Sequence, residues 1–178
     1  FGESHGAALG CVIDGCPAGV IFDEALLSHW MARRRPGAHA LVSARSEEDR
    51  VEVFSGVFEG RTLGTPIAMI VRNRDARSED YAEIKNQPRP GHADDLWRDK
   101  FGHVDYRGGG RASGRETVAR VMAGAVAEMV VREIAVGVSV ESSITQIGPL
   151  DLTEDERRDP LNAQRVVDLL SQAKETGK

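Results

Sequence analysis

The chain has 178 residues, 40% of them hydrophobic and only 5% aromatic, which suits one domain with a mostly aliphatic core. A net charge of −5 speaks against a surface built for nucleic acid. No apolar run approaches the roughly 20 residues of a membrane span, no signal peptide is visible, and two cysteines are too few for a disulfide framework or a zinc set.

Cys11 and Cys16 therefore read as small apolar residues of a reduced, cytoplasmic protein. Arginine outnumbers lysine 19 to 4, a bias that genomic base composition alone produces. The positions of the arginines say more than their number.

Gly2-Glu3-Ser4-His5-Gly6 opens the chain and matches G-x-S-x-G, the nucleophile elbow of serine hydrolases. That elbow lies between a strand and a following helix. Here residues 8–14 (ALGCVID) read as a strand, so a glycine-flanked loop that presents Ser4 and His5 to a ligand is the better reading. A plain turn is the alternative. Pro17-Ala-Gly19 turns the chain. Asp23 caps a helix running to about Arg34, with Leu26, Leu27, Trp30 and Met31 on its apolar side.

Arg33-Arg34-Arg35-Pro36-Gly37 ends that helix. Basic residues suit a helix C-terminus and Pro-Gly stops it; one arginine turned inward toward an anion is the functional reading. Residues 36–50 read as a polar loop. Residues 51–58 alternate and turn at Glu59-Gly60, and residues 66–72 (PIAMIVR) form a buried-strand candidate.

Residues 74–112 show little periodicity, and loops that long in compact domains are usually functional or disordered. Arg89-Pro90-Gly91-His92-Ala93-Asp94 forms a tight turn with a second histidine in a setting like that of His5. Two such histidines can serve as two proton donors at one site. His92 and Asp94 lack a third ligand, so no metal is expected. Asp94-Asp95 read as solvated, and His29, His39 and His103 as structural.

Asp105-Tyr106-Arg107-Gly108-Gly109-Gly110-Arg111-Ala112-Ser113 runs straight into the strongest helix, residues 114–134. Ser113-x-x-Glu116 is a helix-start signature. The bare helix N-terminus, glycines that admit close approach, and arginines 89, 107, 111 and 115 together describe a cradle for a multiply charged anion. A flexible RGG-like segment, as in an RNA-binding module, is the rival reading, and it lacks the basic net charge and stacking aromatics it needs. The helix itself is apolar on most faces, as a central, buried helix would be. Residues 135–147 alternate as a strand, and residues 161–175 form an amphipathic helix. Strands and helices mix without a regular βαβ rhythm, which favours α+β.

GESHG at 2–6, RRRPG at 33–37, SGVFEGRTLGTPI at 55–67, RPGHAD at 89–94 and YRGGGRASGRET at 106–117 occur in this order. The set resembles the chorismate synthase family over essentially the whole chain, and over the N-terminal half or so of a member. The resemblance implies a sandwich with helices packed between antiparallel β-layers, of which residues 1–178 are a single incomplete domain, inactive alone. It implies the anti-1,4-elimination of phosphate from 5-enolpyruvylshikimate 3-phosphate to give chorismate. It also implies reduced FMN as cofactor, with NADPH or a separate reductant as the source of electrons. The substrate is a small phosphorylated dicarboxylate, and the expected assembly is a homotetramer with neither nucleic acid nor membrane as partner.

Residue by residue, the resemblance gives His5 the protonation of the leaving phosphate and His92 the protonation state of the flavin. It places Ser4, Arg34, Arg89 and Arg115 at the substrate, and Arg111, Ala112 and Ser113 at the FMN. The chain departs from the family at about Ala40, where members carry a further arginine. The family's later flavin-binding run and its C-terminal Arg/Asp motif have no counterpart in these residues.

Overall fold

The computed structural model describes residues 1–35, 49–73, 85, 87, 89, 91–142, 145–147, 150–151, 154, 168 and 171. Two small antiparallel sheets form the frame. The first is built from β1 (Ala8–Ile13), β6 (Ile67–Arg72) and β3 (Val51–Val53), in the order β1-β6-β3. The second joins β2 (Ala18–Ile21), β5 (Arg61–Leu63) and β4 (Val57–Phe58), in the order β2-β5-β4.

β1 and β6 pair without a break from Ala8 opposite Arg72 to Ile13 opposite Ile67. β6, read as a buried strand, sends Ile67, Met69 and Val71 into the core. The turn between β4 and β5 is made by Glu59 and Gly60, with φ of +47° and +72°. Two consecutive left-handed residues fit the twist of a tight hairpin.

Helix α1 (Glu24–Arg34) starts where expected: the Asp23 carboxylate accepts from the Leu26 N–H at 2.9 Å. Helix α3 (Thr117–Ile134) packs against α1 and touches β1 and β6 of one sheet and β2 of the other. Its buried residues are Val118, Ala119, Met122, Ala125, Val126 and Met129, spaced as a single stripe. The expectation of burial on most faces is thus corrected, since Arg120, Gly124 and Ala127 face outward. Leu9, Ile67, Met69 and Met122 are fully buried where helix meets sheet. Burial of each such side chain contributes about 1.5–3 kcal/mol. The α+β expectation holds.

Three elements escape the sequence reading. β2 and β5 are short, and Pro17 with Gly19 masks the first as a turn. Helix α2 (Asp94–Phe101) lies inside the stretch read as irregular. A strand across 135–147 is found only at β7 (Gln146–Ile147), paired with β8 (Leu150–Asp151). Val136, Val138 and Val140 alternate in sequence, yet all three are exposed and outside any strand. Among the described residues no strand pairs with them, and pairing is what makes a strand. The family position near Ala40, with His39 and Arg45, lies outside the described residues, as does nearly all of the helix expected at 161–175.

Candidate functional site

The opening turn is built into the protein. Ser4 is 1% exposed. Its Oγ donates to the Gly108 carbonyl at 3.2 Å, and its N–H donates to the Gly110 carbonyl at 3.3 Å. Ser4 is followed by the strand β1 and not by a helix, so it is not on a strand–helix elbow. That removes the hydrolase reading.

The three glycines explain how the turn and the later segment meet. Gly108, Gly109 and Gly110 have φ of +57°, +83° and +51°, a region that costs a side-chain-bearing residue about 1–2 kcal/mol. A Cβ on Gly108 would overlap both the His5 ring and the Ser4 hydroxyl. A Cβ on Gly109 would stand 3.6 Å from Arg89 Nη2 and 4.0 Å from His92 Cδ2. The two histidine turns therefore approach neighbouring glycines of one segment. Gly109 and Gly110 are buried, which excludes a free RGG-like tail.

Each nearby arginine has a carboxylate. Arg89 donates from Nε and Nη2 to Asp94 at 3.0 and 3.3 Å, and its N–H also reaches Asp94. The Arg89 hydrogen bond holds the Asp94 carboxyl below the usual carboxylate range, with desolvation opposing it. Arg107 forks onto Asp105 with two bonds of 2.7 Å. That hydrogen bonding lowers the Asp105 carboxyl in the same way, and the charge of His5 adds in the same direction. Asp94 is thus a partner of Arg89, a correction to its reading as solvated; Asp95 is exposed as expected.

The substrate arginines expected at 34 and 115 meet through a residue the sequence reading passed over. Asp49 accepts from Arg34 Nη1 at 2.6 Å and from Arg115 Nη1 at 2.5 Å. The Asp49 side chain is 0% exposed and that of Arg115 is 5% exposed. Two guanidinium groups share one carboxylate, so the trio carries a net +1. A second missed residue, Asn73, follows β6 and accepts from Arg115 Nε at 3.1 Å. Asp49 falls in the stretch read as a polar loop, and Asn73 lies just beyond the strand read at 66–72. Neither has a signature in sequence, because their partners lie 66 and 42 residues from them.

A cleft of about 690 Å³ lies beside the glycine segment. Trp97, Phe101, Tyr106, Arg107 and Arg111 are among its lining residues. Trp97 and Phe101 stack with centroids 5.2 Å apart, one helical turn from each other on α2. His103, read as structural, also lines this cleft. Glu3, Asp94 and Asp105 line it as well, so its charges are mixed; the aromatic rings could stack a flat ring system, and Arg107 and Arg111 could meet a phosphate.

Of the three residues expected at the cofactor, Arg111 lines the cleft. It also donates to the Gly2 carbonyl and to Glu116, each at 2.7 Å. Ser113 caps the next turn by accepting from the Arg115 N–H at 3.3 Å, and Ala112 is exposed. Among the described residues, no three His, Cys, Asp or Glu side chains gather as a metal site, and no helix is long and apolar enough to cross a membrane.

The family model for chorismate synthase matches residues 1–178. The chorismate synthase of Bdellovibrio bacteriovorus is 57% identical over 194 residues, covering 99% of this chain and 57% of its own. Those of Cytophaga hutchinsonii and Methanopyrus kandleri are 52% and 53% identical, over 42% and 43% of their lengths. A crystal structure of a chorismate synthase aligns with a TM-score of 0.60 and 29% identity, over 98% of this chain and 45% of that one. The chain thus spans about half the length of the relatives it matches.

Proposed function

Because this chain belongs to the chorismate synthase family, we propose that the full-length protein eliminates phosphate from 5-enolpyruvylshikimate 3-phosphate to give chorismate. The observation that carries this reading is the approach of two histidine turns, around His5 and around His92, to adjacent glycines 108 and 109.

In the elimination the C–O bond to phosphate breaks, a proton leaves C6, and a new double bond forms, with no net redox change. The substrate bears one phosphate and two carboxylates, roughly −4 in all. Arg34 and Arg115, which share Asp49, receive it in this reading together with Ser4 and Arg89. A phosphate leaves far more readily when protonated, and His5 is the donor to it. Imidazole is a suitable general acid near neutral pH.

Arg111, Ala112 and Ser113 would help to hold reduced FMN, which would supply electron density for loss of the phosphate, and His92 would hold a proton at that flavin. The glycine segment, buried at Gly109 and Gly110, brings the two histidine turns close to one another. The same reading makes the protein a cytoplasmic homotetramer.

The test is anaerobic incubation of the full-length protein with substrate and chemically reduced FMN. Chorismate and inorganic phosphate in equal amounts are expected. Absence of chorismate with folded, flavin-loaded protein overturns the reading.

A further inference from the structure

Asn73 makes four hydrogen bonds, and three of them hold the opening turn. Its backbone N–H donates to the Ala7 carbonyl at 3.1 Å. Its Nδ2 donates to the carbonyls of Glu3 at 3.2 Å and Gly6 at 2.8 Å. Its Oδ1 accepts from Arg115 Nε. These partners determine the amide's orientation. Reversed, the oxygen would face two carbonyls and the NH₂ would face a guanidinium, three like-with-like approaches.

The carbonyls that Asn73 grips lie on either side of Ser4 and His5. The arginine it accepts from is the one held by buried Asp49. We infer that Asn73 is a positioning residue: it clamps the Ser4–His5 turn to the Arg115–Asp49 pair, so that the proton donor and the substrate's cationic pocket keep one fixed separation. The inference rests on the assignment of His5 as donor to the leaving phosphate. Asn73 itself touches no reacting atom in this account and acts through His5.

The chain gives two ways to loosen the clamp. Asn73→Ala removes every side-chain bond. Asn73→Asp keeps size and the acceptor for Arg115, but offers no N–H to Glu3 and Gly6. A misplacement of about 1 Å at a reacting group costs on the order of a hundredfold in rate. In the full-length enzyme both variants are expected to lose about ten- to a hundredfold in kcat, with KM within about threefold of wild type. The ring NMR signals of His5 should move, while those of His29, on α1, stay in place.

A double-mutant comparison separates positioning from general damage. In a His5→Ala background, adding Asn73→Ala should cost nothing further, because the residue it acts through is gone. Unmoved His5 signals with wild-type kcat in both variants would overturn the inference. So would additive losses in the double variant, or failure of both variants to fold. If His5→Ala alone leaves turnover intact, the donor assignment falls, and the His5 ring signals in the Asn73 variants still decide whether Asn73 places that turn.

Discussion

Asp49 and Arg115 form a buried ion pair 2.5 Å long, their side chains 0% and 5% exposed. Asp49 has φ of +49°, so even its backbone is held in an unusual conformation to reach this place. The pair joins the segment before β3 to the N-terminal end of α3, and Arg34 brings in the end of α1.

Removing the carboxylate leaves two guanidinium groups facing each other without their shared partner. Breaking a buried pair from one side costs about 3–5 kcal/mol. Asp49→Ala should lower the unfolding free energy by that order in chemical denaturation. A loss below about 1 kcal/mol would mean that the trio is held by its surroundings and not by Asp49.

Gly108→Ala tests the contact between glycine segment and histidine turn. Its Cβ would overlap His5 and Ser4, and its φ of +57° adds backbone strain. Gly137→Ala is the control, with φ of +88° and nothing within 4 Å of the added atom. Gly108→Ala should cost on the order of a hundredfold in turnover, while Gly137→Ala stays near wild type. Equal effects would show that strain alone was at work.

Met122→Ala tests the core. Met122 is fully buried on the α3 stripe. A methionine-to-alanine change at such a site costs about 2–5 kcal/mol through lost burial and the cavity left behind. Thermal and denaturant unfolding should agree on a loss in that range, and a neutral result would contradict the packing described.

The Arg89–Asp94 and Arg107–Asp105 pairs set an acid limb. Both carboxyls titrate lower when folded than when unfolded. Their contribution is therefore complete above the unfolded value of about 3.9 and is lost as pH falls through the folded value. Unfolding free energy should decline across that acid window. Asp94→Asn should lower stability at neutral pH and flatten part of the decline. An unchanged acid limb in Asp94→Asn would contradict the pairing.

Local signals were legible in sequence. Capping chemistry at Asp23 marks α1, the apolar run at 66–72 marks β6, and turn chemistry marks Glu59-Gly60. The site was legible where glycine and histidine occur together, at Ser4–His5 and at Gly91–His92. It was not legible at Asp49 and Asn73, which act only through contacts distant in sequence. Val136, Val138 and Val140 show the converse: a strand pattern in sequence that no strand follows, because alternation specifies a face and pairing needs a neighbour. Helix α2 escaped because its apolar residues, Leu96, Trp97 and Phe101, are too few to give a clear period and none is buried.

The central claim is that His5, placed by Ser4, Gly108 and Asn73, gives its proton to the leaving phosphate. Single-turnover phosphate release by the full-length protein, anaerobic and loaded with reduced FMN, tests it most directly. His5→Ala should slow release by about a hundredfold or more, the usual contribution of a positioned general acid, while substrate still binds. Release at the wild-type rate from the His5→Ala protein would contradict the account.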